Sequence, residues 1–160
     1  MRTMPDSMTT AAVPGLPLRG LVTRAIARLE SVPLAVIQLL FRGAIAGVFL
    51  RAGLQKVASF DVTIQLFRDE YQVPVLPPDV AAAMAASFEI GCSLLLLLGL
   101  CTRLATLPLL GMIAVIQTFV YPQAWSEHLT WASILIFLLT RGGGAFALDR
   151  LIAREARPHR

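Results

Sequence analysis

Apolar residues are gathered into four blocks separated by short polar stretches. The blocks run from Pro33 to Leu54, from Val80 to Leu100, from Leu104 to Tyr121 and from Leu129 to Thr140. About twenty apolar residues, at roughly 1.5 Å each, cover the hydrocarbon core of a bilayer, so the first three blocks read as membrane-spanning helices. The fourth is strictly apolar over too short a stretch. It spans only if its helix begins near Ser126 or continues through Gly142-Gly143-Gly144 to Leu148. Pro108, inside the third block, is tolerable because neighbouring helices can satisfy the carbonyl it frees. The pattern therefore predicts an all-α fold, an integral membrane four-helix bundle.

Two further segments have helical spacing on one face only. Leu18, Leu21, Val22, Ala25, Ile26 and Leu29 share a face flanked by Arg24 and Arg28, which predicts an in-plane amphipathic helix on the cytoplasmic leaflet, started by Pro17. Phe60, Ile64, Phe67 and Tyr71 form a second such face with Asp61, Arg68 and Asp69 elsewhere on the wheel; Ser59 is its expected N-cap, the proline-rich stretch from Val73 its end, and Asp79 the expected cap of the next span. The first thirty residues lack a continuous apolar core and carry Pro5, Pro14 and Pro17, so no cleavable signal peptide is expected and the first span serves as a signal anchor. The expected organisation is an N-terminal segment over residues 1–31, a four-helix domain over 32–151 and a basic tail over 152–160.

Composition supports the pattern. Of 160 residues 56% are hydrophobic and 15% charged, and the mean hydropathy is +0.70, well above an average soluble domain. A net charge of +4 and a pI near 9.8 invite a nucleic-acid reading, but the placement of the basic residues argues against it. Arg2, Arg19, Arg24, Arg28, Arg103, Arg141, Arg150, Arg154, Arg157 and Arg160 fall on one side of the spans, against Lys56 and Arg68 on the other. By the positive-inside rule both termini are cytoplasmic and no nucleic-acid partner is implied. The loop from Tyr121 to Trp131 then faces outward, with Tyr121, Trp125 and Trp131 as an interfacial aromatic belt.

Candidate chemistry lies in polar residues attached to apolar helices: Arg42, Arg51 and Lys56 in or at the end of the first span, Glu89 in the second, Gln117 in the third and His128 at the outer start of the fourth. A carboxylate inside a span costs a few kcal/mol on insertion scales and so needs a partner or a proton. Counted from the outer boundary, Glu89 lies roughly 10–14 Å deep, Arg51 about 5 Å and Arg42 about 19 Å. Arg51 is the closer in depth, Arg42 stays open if the first span shifts or tilts, and the two point to roughly opposite faces. Glu89 is either half of an ion pair that locks the bundle or part of a ligand or proton site. His128 reads as interfacial, Gln117 as an interhelical hydrogen bond, and Gly43-x-x-x-Gly47 as a close helix contact. Cys92 and Cys101 are nine residues apart, too far along one helix for a disulfide or shared ligation, and no metal ligand set is expected.

Taken in order, Arg42-Gly43, Ala52-Gly53-x-x-Lys56, Phe88-Glu89-Ile90-Gly91, Leu98 through Arg103, His128-x-x-Trp131, Arg141-Gly142-Gly143-Gly144 and Leu148-Asp149 resemble the DoxX family of small four-helix membrane proteins. Gly143 stands where the family pattern often has proline. The resemblance covers about Pro33 to Leu151 and implies a bacterial inner-membrane protein with both termini inside. It also implies partnership with a membrane or periplasmic protein, or with a second copy of the chain.

Family members include membrane subunits of quinone-linked redox complexes and proteins of oxidative-stress complexes. One subgroup with a similar outer loop accompanies metal-stress peptides. Two function classes follow. In the first, the chain is a redox or stress-response subunit that binds quinone, with Glu89 relaying protons, an arginine holding it, and His128 or Tyr121 bonding the head group. In the second it is a non-catalytic anchor or assembly partner in an envelope copper-stress system. A proton-coupled transporter is a third reading, weakened by the lack of a repeat pair. The chain has no redox-cofactor ligands of its own, so an accessory subunit is favoured over a stand-alone oxidoreductase.

Overall fold

In a computed structural model, which describes residues 17–155, the apolar blocks are helices and the described residues form no strand. The expected N-terminal segment before Pro17 and the tail from residue 156, with Arg157 and Arg160, lie outside the described residues. The chain divides into two compact units at Val32/Pro33. In the first, α1 spans Pro17–Glu30 and starts at the proline, as expected; Leu21, Val22, Ile26 and Leu29 are exposed along its apolar face.

The second unit is the bundle. Its four long helices are α2 (Leu34–Ala58), α4 (Pro78–Leu98), α5 (Thr102–Val115) and α6 (Trp125–Arg141), with the short α3 (Phe60–Leu66) after α2 and α7 (Leu148–Glu155) after α6. α2 packs along α4, α4 on α5, α5 on α6, and α6 closes back on α2. Three helical stretches are long and apolar enough to cross a membrane: Leu34–Ala58, Pro78–Leu98, and α5 with its continuation to Val120. At 17 residues, α6 is roughly 26 Å long. It starts close to Ser126 and ends at Arg141, where Gly142 takes φ +75°, so the fourth block does not continue to Leu148 as one helix.

Burial explains the packing. Ile45, Ala46 and Phe49 of α2 meet Leu96, Leu109, Ile113, Leu135 and Leu138 from the other three helices in one core. Phe67, Ala81 and Ala82 make a second, smaller core that seats α3 on α4. Most other large apolar side chains of the bundle point outward, as a lipid-facing surface requires. Cys92 is buried in the larger core and Cys101 is exposed.

Three local expectations need correction. Gly43 and Gly47 are exposed, and a Cβ added to either meets nothing within 4 Å, so they face away from the other helices. The close contact is at Gly53, where a Cβ would lie 2.7 Å from Ile90 Cγ1 and 2.9 Å from Glu89 Cβ. Neither Ser59 nor Asp79 caps a helix with its side chain: α2 runs directly into α3 through Ser59, and Asp79 sits inside the first turn of α4 behind Pro77.

Candidate functional site

Along α2 the residues that point inward are Gln38, Arg42, Ile45, Ala46, Phe49 and Gly53, and Lys56 continues the same stripe. At about 100° per residue, Lys56 lies only about 40° around the helix from Arg42, while Arg51 lies about 180° from it. Azimuth therefore decides the partner of Glu89. Lys56 Nζ donates to both carboxylate oxygens, at 2.7 and 2.8 Å, and Arg51 is exposed on the far face. Ranking Arg51 first by depth ignored that rotation, and it ended α2 at Leu54 when the helix runs to Ala58 and carries Lys56 in its last turn. Gly53 lets α2 approach α4 closely beside the pair, and Glu89 is only 2% exposed.

Next to this pair is a cavity of about 300 Å³. Its walls are almost wholly apolar, from Ala81, Met84, Ala85 and Phe88 on α4, Pro108, Gly111 and Met112 on α5, and Phe67 below the α3 turn. Lys56, Glu89, Tyr71 and Tyr121 supply the polar atoms. Met84, Phe88 and Gly111 are exposed on the outside of the bundle, so the cavity opens sideways between α4 and α5. An apolar hollow with a few converging polar groups is the usual form of a small-molecule site.

The two tyrosines reach it by the same backbone device. The segments Phe67–Tyr71 and Ile116–Val120 each end in a wide turn, closed by Gln72 N–H to Phe67 C=O at 3.1 Å and by Tyr121 N–H to Ile116 C=O at 2.9 Å. Such five-residue turns re-aim the side chains that follow and recur at functional sites. The Tyr71 and Tyr121 rings meet edge to face with centroids 5.8 Å apart. Tyr121 Oη donates to Glu70 Oε1 at 2.5 Å. That hydrogen bond, then burial, holds the Tyr121 phenol well above its ordinary value. Burial, with the charges of Glu70 and Glu89 adding, pushes Tyr71 up.

His128 and Gln117 lie apart from the cavity. His128 is buried and Gln117 bonds its ring: Gln117 Nε2 donates to Pro122 C=O at 2.8 Å, leaving Oε1 to accept from His128 Nδ1–H at 2.7 Å. Gln117 is thus the interhelical hydrogen bond expected of it. Of the expected aromatic belt only Trp125 is largely exposed; Trp131 packs on Phe49 and His128. Among the described residues no three His, Cys, Asp or Glu side chains come together as a metal site.

Arg42 belongs to the other end. It is 1% exposed, and its guanidinium donates to Leu96 C=O at 2.7 Å, Leu97 C=O at 2.6 Å and Gly143 C=O at 3.1 Å. The Leu97 and Gly143 carbonyls lie at the end of α4 and in the turn after α6, where the helix ladder offers no donor, while Leu96 C=O also accepts from Gly99 N–H at 3.1 Å. Gly99, with φ +69°, ends α4 where a Cβ would collide with Arg42 and Ala147. Asp149 completes the knot: its carboxylate accepts from Cys101 N–H at 2.7 Å and Thr102 N–H at 3.1 Å, capping α5. Gly143 fits where a proline is often found in the family pattern because Thr102 and Ala147 fill the space a side chain would need.

Comparison with curated proteins and with solved structures finds no match. A family model, DoxX, matches residues 37–122, more than half of the 160 residues, and the match takes in Arg42, Lys56, Glu89, Gln117 and Tyr121. The chain is therefore a membrane protein that belongs to the DoxX family.

Proposed function

We propose that the protein is an accessory subunit of a bacterial inner-membrane redox complex and that its cavity holds the head group of a lipid-soluble carrier of the quinone class. One observation carries the reading: a hollow of about 300 Å³, open toward lipid between α4 and α5, has a buried Glu89 paired with a partly buried Lys56 in a mostly apolar wall. A ring of that class has two apolar faces and two carbonyl oxygens, and it brings the electron chemistry for which the chain has no ligands of its own. Lys56 and Tyr71 supply donors for a carbonyl oxygen, Glu89 exchanges protons beside it, and the Tyr121–Glu70 contact leads from the cavity to the exposed rim. The positive-inside rule supports a cytoplasmic position for the end carrying Arg103, Arg141 and Arg150, and on that orientation the cavity belongs to the outer half of the bilayer.

Gly111 offers the test. It lines the cavity at its exposed mouth, and a Cβ there meets nothing within 4 Å, so Gly111→Leu adds bulk at the opening without a clash with the neighbouring helices. Purified wild-type chain should retain a short-tailed ubiquinone, and Gly111→Leu should bind it at least about tenfold more weakly with an unchanged unfolding midpoint. Equal retention by both would remove the quinone from this cavity and leave the anchor or assembly role as the better reading.

A further inference from the structure

The Arg42 end of the bundle carries a second hollow, of about 500 Å³, that the proposed redox role does not use. It lies between the start of α2, the start of α5, the glycine turn after α6 and the start of α7, and Arg103, Arg141 and Arg150 all line it. All three are exposed, and among the described residues none lies within ion-pairing distance of a carboxylate. Asp149 also lines the hollow, but both its oxygens already accept from the Cys101 and Thr102 amides. Three guanidinium groups therefore surround one committed carboxylate. Thr102, whose buried hydroxyl has no hydrogen-bond partner among the described residues, is also in the wall.

We propose that this hollow binds the phosphate of an anionic phospholipid head group. Guanidinium groups pair with phosphate oxygens through forked, charge-assisted hydrogen bonds, which suits three arginines converging from α5, α6 and α7. The position in the bilayer selects lipid over a free anion. Leu34 and Leu104 line the same hollow and are 49% and 66% exposed, so on a membrane-embedded bundle they offer acyl chains an apolar surface beside the arginines. Basic pockets between helices at the cytoplasmic boundary are a recurring form of lipid recognition. The site is separate from the cavity at Glu89, and its failure or success leaves that reading untouched.

The full chain, gently extracted and studied by native mass spectrometry with phosphatidylglycerol and phosphatidylcholine of matched tails, tests the proposal. Wild type should retain phosphatidylglycerol about tenfold better, and Arg141→Gln combined with Arg150→Gln should abolish the preference. Neither side chain makes a hydrogen bond within the described residues, so the double variant should unfold at the wild-type midpoint in phosphatidylcholine. The single variant Arg150→Gln should show an intermediate preference, and Arg68→Gln, at the opposite end, should keep all of it. Equal retention of the two lipids by wild type, or an equal loss in Arg68→Gln, would overturn the site. Stabilisation by excess inorganic phosphate that matches phosphatidylglycerol would assign the hollow to a free anion and overturn the lipid.

Discussion

The bundle buries a charge near each end, and the two are satisfied in opposite ways. Arg42 gives its protons to three main-chain carbonyls, partners that do not titrate and that lie where helix ends run short of donors. Glu89 is held, among the described residues, by the side chain of Lys56 alone and borders an open cavity. A buried ion in a lipid-facing bundle is thus no single signal. Where the backbone satisfies it, the ion is a clasp; where one titratable side chain does so beside a hollow, the charge can be exchanged or shared with a ligand.

The largest expected effect follows at the clasp. Arg42→Ala would remove three hydrogen bonds at once, leaving the Leu97 and Gly143 carbonyls without a donor and Leu96 C=O with only Gly99 N–H, and a hydrogen bond from a charged group is worth about 1.5–3 kcal/mol. A loss of at least about 3–5 kcal/mol is expected, read as a collapse of the unfolding midpoint in detergent or as failure to accumulate folded protein. Arg42→Lys should recover little, because an ammonium cannot fork between carbonyls that separate. Full rescue by lysine would show that charge alone, without the fork, holds this end.

At the cavity the expected loss is smaller and recoverable. Glu89→Ala strands the Lys56 ammonium and should cost about 3 kcal/mol, whereas combining Glu89→Gln with Lys56→Gln should restore most of the stability, since no uncompensated charge remains. A double-mutant cycle should find coupling between Glu89 and Lys56 of about 1 kcal/mol or more and almost none between Glu89 and Arg51. Quinone retention should stay lost in the double variant if the pair serves a ligand. Coupling to Arg51 would refute the pairing described here.

The contrast also shows what a sequence can disclose. The helices were legible because length and hydropathy are local properties, and the boundaries of α2, of α4 and of α5 with its continuation to Val120 fall within a few residues of the apolar blocks. Lys56 was among the candidates, yet its partnership was missed because depth was weighed without rotation about α2. The role of Arg42 left no sequence signal, since its acceptors are carbonyls that every residue possesses. Asp149 was missed although a clue existed: α5 begins after Cys101, which has no capping oxygen, so a cap had to come from elsewhere. Gly43-x-x-x-Gly47 misled because small residues permit close contact without requiring it, and of the three glycines in α2 it is Gly53 that faces a neighbouring helix.

The smallest effect lies at the rim of the cavity and depends on pH. The hydrogen bond from Tyr121 to Glu70 favours the protonated phenol, so the folded-state pKa is raised above the unfolded value of about 10. A group raised in this way contributes its full stability below about pH 10, and the contribution fades as pH climbs from there toward the folded-state value. Tyr121→Phe removes the phenol and should therefore narrow the stability gap to wild type as pH rises from about 8 to about 11, measured as unfolding midpoints in the same detergent. Tyr71, raised chiefly by burial, should leave a residual slope in the variant that Tyr71→Phe then removes. Parallel profiles for wild type and Tyr121→Phe would mean that the contact with Glu70 does not form, and the path from cavity to rim would lose its outer step.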